Sequence, residues 1–159
     1  MIHKKTVDFI IEPILTELNS LIEKDPIGRI NKSTGKTKPN GAQHSLERNE
    51  VLLPLFLEIQ KIADQHNLFV GDVWTNVCYP NAVGIKHKHI QATIAGCFYV
   101  YIPENSGSLE FETGEIIYPK AGEFYWWDAS KIHWTNENKS NETRISIAFN
   151  LNNAGLIQW

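Results

Sequence analysis

The chain has 159 residues, 42% of them hydrophobic and 21% charged, with a formal net charge of -3. That length can bury a core without disulfide or metal staples, and the slightly acidic balance offers no basic field for nucleic acid or an anionic membrane. No apolar run approaches the roughly 20 residues of a membrane span. Asp8 and Glu12 interrupt the first apolar stretch, so it does not read as a signal peptide. Cys78 and Cys97 each sit in an apolar, strand-like segment and read as buried reduced thiols, with a disulfide as the alternative. Together these features predict a cytoplasmic protein of one domain spanning residues 1–159.

Residues 5–11 fit either a first strand or a helical turn. Pro13 then opens a helix at the position where its missing N–H is harmless. Ile14, Leu15, Leu18, Leu21 and Ile22 form its apolar stripe, which stops before Asp25-Pro26. A second helix is predicted from about Leu53 to His66, burying Leu55, Phe56, Ile59, Ile62 and Ala63. Between the helices, residues 26–43 read as a polar loop carrying Arg29, Lys32, Lys36 and Lys38, either solvated or a lid. Its Gly35-Lys36-Thr37 fails as a phosphate-binding loop, because Ile30 stands where glycine is required and Lys38-Pro39-Asn40-Gly41 signals a turn.

The chain changes character near residue 70, where helical cover over 1–70 gives way to short β-branched and aromatic segments over 71–151. Strands are predicted near 72–79, 83–89, 93–102, 108–112, 115–118, 123–127, 131–135 and 143–151, with a tail at 152–159. Gly, Pro, Asn and Ser clusters separate them. Helices followed by about eight short strands predict a mainly β, α+β fold: a double-stranded β-helix, or cupin-like jelly roll, with helices packed on one sheet. An immunoglobulin-like sandwich is the alternative.

Three histidines stand out. On a strand, His87 and His89 would share a face, and His133 could join them from a later strand. Imidazole suits iron, zinc, copper and nickel alike. The bland alternatives are an exposed Lys-His-Lys-His surface and a hydrogen-bonded core histidine at 133. The last strand alternates an apolar face (Ile145, Ile147, Phe149, Leu151) with a polar or small one (Arg144, Ser146, Ala148, Asn150). An always-charged guanidinium with a hydroxyl two residues on can clamp a carboxylate, or the face can simply be solvated. Phe124-Tyr125-Trp126-Trp127 must divide between two faces, half toward a cavity and half toward the helices.

The order His-x-His, distal His, Arg-x-Ser resembles the Fe(II)/2-oxoglutarate oxygenase superfamily. Trp74-Thr75-Asn76, His87-Lys88-His89, Ala95-Gly96-Cys97-Phe98-Tyr99, Ser106-Gly107-Ser108-Leu109-Glu110-Phe111 and Arg144-Ile145-Ser146-Ile147-Ala148-Phe149-Asn150 resemble one branch of it over roughly residues 70–151. The resemblance implies an oxygenase coupling 2-oxoglutarate decarboxylation to hydroxylation or a related C–H oxidation. It implies Fe(II) at His87 and His133, with His89 as third ligand, and 2-oxoglutarate held by Arg144 and Ser146. Tyr99 or Tyr101 would add a hydrogen bond, and Asn76 would line the pocket. The chain departs from most relatives at His89, which stands where the two-His-one-carboxylate triad has its acid. A three-His cupin-like metalloenzyme that does not use 2-oxoglutarate, and a non-catalytic jelly-roll binding module, are the competing expectations. The substrate is not readable from the sequence.

Overall fold

A computed structural model describes residues 1–29 and 41–153. In chain order the elements are β1 (Ile2–Thr6), α1 (Glu12–Lys24), β2 (Gly41–Ser45), α2 (Leu53–Gln65), β3 (Phe69–Cys78) and β4 (Ile94–Tyr101). They continue with β5 (Leu109–Phe111), β6 (Ile116–Ile117), β7 (Glu123–Asp128), β8 (His133–Thr135) and β9 (Arg144–Asn152). Both helices lie where their apolar spacing predicts, each with a proline in its first turn. No helix among the described residues is long and apolar enough to cross a membrane.

Two antiparallel sheets form the body. The larger has strand order β1-β7-β4-β9-β3-β2, the smaller β6-β5-β8. Period-two alternation gives the larger sheet two different faces. On one, Phe98, Phe124, Trp126, Ile145, Ile147, Phe149 and Leu151 pack under Ile14, Leu18, Leu55, Ile59 and Ile62 of the helices. Burying each such side chain stabilises the fold by about 1.5–3 kcal/mol. On the other, Cys97, Tyr99, Tyr125 and Trp127 meet Leu109 and Phe111 of the smaller sheet. The aromatic run of β7 therefore divides as alternation requires, and helices on one face of a two-sheet jelly roll replace the immunoglobulin alternative.

Two expectations are corrected and one open reading is resolved. Residues 83–89 form no strand; the segment meets β8 through an isolated His87–His133 bridge and a Gly84–Thr135 backbone bond. The polar stretch at 26–43 contains β2, whose Gly41–Ser45 pairs with Trp74–Cys78 of β3. Its three lysines and the Gly35-Lys36-Thr37 motif lie outside the described residues, as does the tail from residue 154. The ambiguity at 5–11 resolves into the end of β1, which pairs with β7 from Ile2–Trp127 to Thr6–Glu123, followed by irregular chain.

Gly107 is required by its position. It has φ +101°, and a Cβ there would stand 2.3 Å from the Asn136 carbonyl oxygen. Only glycine lets this turn approach the smaller sheet so closely, and the turn delivers the Ser106 carbonyl described below.

Candidate metal and co-substrate site

His87, His89 and His133 come together, with one ligand nitrogen of each inside a group spanning no more than 4.8 Å. Two nitrogens each about 2.1 Å from one metal stand at most about 4.2 Å apart, so the cluster is close to ligand spacing. The backbone builds this placement. His87 N–H donates to the His133 carbonyl and His133 N–H to the His87 carbonyl, both over 3.0 Å. His89 N–H donates to the Ala129 carbonyl over 2.9 Å. The sequence expectation that the pair converges is met, but by tethers to β8 and to Ala129 just after β7, and not by strand alternation.

In all three rings Nδ1 faces an oxygen. His87 Nδ1 lies 2.7 Å from the Ile85 carbonyl, His133 Nδ1 2.9 Å from the Lys131 carbonyl, and His89 Nδ1 2.7 Å from Asn150 Oδ1. An oxygen acceptor there fixes the proton on Nδ1 and the lone pair on Nε2, the arrangement seen in metal-ligating histidines. Burial, with His87 nearby, pushes the His89 imidazole down to about 4 and that of His133 to about 3. Both rings are thus neutral, as ligation demands. Trp127 meets the His133 ring edge-on at 4.9 Å, and Trp74 stacks on His89 at 5.9 Å. Arg29 in turn lies 5.4 Å over Trp74.

The histidines share a cavity of about 720 Å³ with Arg144, Ser146, Tyr99 and Asn76. Register explains the grouping: Gln43, Asn76, Ser146 and Tyr99 form one cross-strand row over β2, β3, β9 and β4. Gln43 donates to Asn76 Oδ1 over 2.8 Å. Arg144 is only 3% exposed. Its Nη1 donates to the Ser106 carbonyl at 3.2 Å and its Nη2 to Cys78 Sγ at 3.1 Å, while its buried Nε has no partner. Among the described residues no carboxylate pairs with it. A buried guanidinium without a counter-ion is costly, and here it borders a cavity able to admit an anion.

Tyr101 does not join the group. A bulge between Tyr99 and Tyr101 shifts the β4–β9 register, so these two residues, which share a face in a regular strand, part company. Tyr101 is exposed and donates to Glu142 over 2.6 Å. Burial, followed by the neighbouring Cys97, raises the Tyr99 phenol well above its ordinary range, so it stays a donor. Both cysteines are free thiols, but Cys78 is half-buried on the cavity wall, not sealed in the core. Cys78 and Asn150 are the site residues that sequence reasoning passed over. Asn150 lay on the polar face of the last strand; only the fold shows that it meets a histidine.

The cavity lining includes one acid, the exposed Asp72, and the candidate metal cluster itself contains none. The donor set is three imidazoles, which fits a divalent first-row metal. No family model matches the chain, and no curated protein matches it. Solved structures do. A viral collagen prolyl hydroxylase from Paramecium bursaria Chlorella virus-1, in its 2-oxoglutarate complex, superposes with a TM-score of 0.76 at 15% identity, covering 96% of each chain. A prolyl hydroxylase from Trichoplax adhaerens, bound to a peptide of hypoxia inducible factor, gives 0.79 at 10% identity, covering 98% of this chain and 84% of its own. HygX from Streptomyces hygroscopicus, holding nickel, 2-oxoglutarate and hygromycin B, gives 0.68 at 10% identity over 96% and 83%. The chain thus has the double-stranded β-helix fold found in Fe(II)/2-oxoglutarate oxygenases.

Proposed function

We propose that this protein is an Fe(II)- and 2-oxoglutarate-dependent oxygenase that hydroxylates, or otherwise oxidises at C–H, a substrate whose identity stays open. His87, His133 and His89 would hold the metal; Arg144, Ser146, Tyr99 and Asn76 would hold the co-substrate. The observation that carries the reading is Arg144, a buried cation without a carboxylate partner among the described residues, on the wall of the cavity that also holds the three histidines. A diacid satisfies both needs at once, one carboxylate at the metal and the other at the guanidinium. Fold likeness to two prolyl hydroxylases and to a protein holding nickel and 2-oxoglutarate supports the class.

Iron at this position supplies the dioxygen chemistry that couples decarboxylation of 2-oxoglutarate to substrate oxidation. The protein's part is binding and orientation. Arg144, on the cavity wall, would offer its guanidinium to the distal carboxylate, where a charge-assisted bond is strong. Ser146 and Tyr99, neighbours across β9 and β4, can add hydroxyl donors from the same row. Cys97 beside them is pushed up to about 11 by burial and stays a neutral thiol, so it adds no negative charge against the co-substrate.

The neutral triad is the one observation that favours a three-His metalloenzyme not using 2-oxoglutarate, and one experiment separates the two. Anaerobic addition of 2-oxoglutarate to the Fe(II)-loaded protein should produce a visible metal-to-ligand charge-transfer band, and admitting air should yield succinate. Iron retention with neither band nor succinate would sink the oxygenase reading.

A further inference from the structure

Two of the three histidines take their orientation from their own segment. His87 Nδ1 meets the carbonyl of Ile85 and His133 Nδ1 that of Lys131, each two residues back. A carbonyl can only accept, so these tautomers are set locally. His89 differs: its Nδ1 partner is the side-chain amide of Asn150, 2.7 Å away on β9. An amide can present either end. With Oδ1 toward the ring, Nδ1 carries the proton and Nε2 is a ligand; with Nδ2 toward it, Nε2 carries the proton and the ring cannot ligate. With Oδ1 toward Nδ1, as it stands here, the Nε2 of His89 is the nitrogen left for a metal.

The surroundings hold the ring and its partner in place. Trp74 stacks on the His89 ring with planes 26° apart, which fixes the plane, and the Asn150 bond fixes rotation within it. Asn150 stands in the middle of the larger sheet, paired with the fully buried Ala95 of β4, so the acceptor is carried on a rigid strand. The ligand nitrogen of His89 then joins those of His87 and His133.

We infer that Asn150 is a positioning residue of the metal centre. By accepting from His89 Nδ1–H it makes His89 the third ligand, at the place where a carboxylate completes the commoner triad. This rests on the proposed metal site. It also sets the charge: all three ligands are neutral, and so is the partner of His89, where metal-bound histidines often have a carboxylate partner that raises their basicity. An acceptor carrying negative charge at position 150 should therefore tighten metal binding.

Co(II) is the probe. Titration of the wild-type protein should give its d–d bands, and proton NMR of the Co(II) form should show three exchangeable, paramagnetically shifted ring N–H signals, one per ligand. Asn150→Leu removes the acceptor at similar size; it should lose one of these signals and bind Co(II) about 10–100-fold more weakly. Asn150→Asp can only accept; it should keep three signals and bind at least as tightly as wild type. Only two shifted N–H signals in wild type would overturn the inference without any variant. So would an Asn150→Leu protein with three signals and an affinity within about twofold of wild type, well short of the usual partner effect. A wild-type protein that binds no Co(II) would instead overturn the metal site itself.

Discussion

Arg144 and Cys78 stand opposite each other on β9 and β3, and the guanidinium reaches the thiol through Nη2 over 3.1 Å. A neutral sulfur and the Ser106 carbonyl are a poor replacement for a counter-ion. A buried charge so placed is costly, and an anion bound beside it would offset that cost.

That asymmetry predicts opposite effects of Arg144→Met on stability and binding. The variant should melt at or above the wild-type temperature, since it exchanges a buried unpaired charge for an apolar chain. Wild type with 2-oxoglutarate at about 100 times Kd should gain about 2.7 kcal/mol, or about 5–10 °C in Tm. The metal-loaded variant should show almost none of that gain. Thermal melts with and without the diacid check this, and an undiminished shift in the variant would remove Arg144 from the co-substrate site.

The two tyrosines of β4 give a second test. Tyr99→Phe deletes a buried hydroxyl in the Ser146 row and should weaken 2-oxoglutarate binding about fivefold, the worth of one net hydrogen bond. Tyr101→Phe loses only an exposed bond to Glu142, and the charge-transfer titration should be unchanged. The reverse pattern would mean that the bulge does not separate their roles.

What the sequence made legible follows regular periodicity. Ile145, Ile147, Phe149 and Leu151 against Arg144, Ser146 and Ala148 name both faces of β9 because nothing interrupts the alternation. The helices were readable for the same reason at their own period. The short edge strands were not: β1 carries His3, Lys4 and Lys5, and β2 is Gly-Ala-Gln-His-Ser, neither with an apolar pattern. The histidine segment misled in the opposite way. Its spacing looks like a strand, yet its shape is imposed by β8 through bonds from Gly84, His87 and His133. Tyr101 was misassigned by a bulge, and Asn150 was missed as a partner of His89, because both depend on register between distant strands.

The edge strand β1 gives a pH prediction. Glu123 accepts from Lys4 Nζ at 2.6 Å, Tyr125 Oη at 2.8 Å and Lys120 N–H at 2.9 Å. Burial alone would raise its carboxyl, but these donors outweigh it and hold the group below the usual 4.5. A lowered native value means that the unfolded chain binds the proton more tightly. The stabilisation is thus present above about pH 4.5 and is lost as pH falls through the lower native value. Glu123→Gln should cost ~1 kcal/mol at neutral pH and should flatten the acid limb of a urea-denaturation series from about pH 5 to pH 3. An acid limb as steep as wild type would mean that another carboxylate is responsible.

Gly84 ties the fold to the metal centre. Its N–H donates to the Thr135 carbonyl over 2.9 Å, three residues before His87, and a Cβ there would lie 2.8 Å from Thr135 N. The obstacle is backbone, so it cannot swing aside. Gly84→Ala must push the histidine segment away from β8, stretching the reciprocal His87–His133 bonds. Overpacking against a part that cannot move costs about 1–3 kcal/mol, and a segment able to shift avoids most of that. The segment carries few core contacts beyond Ala82, so the displacement should be felt at the ligands more than in global stability. Metal affinity should fall about tenfold, equivalent to 1.4 kcal/mol, with the melting temperature of the metal-free protein nearly unchanged. A variant that loses Tm but keeps its metal affinity would show that β8, and not the His87 segment, gives way.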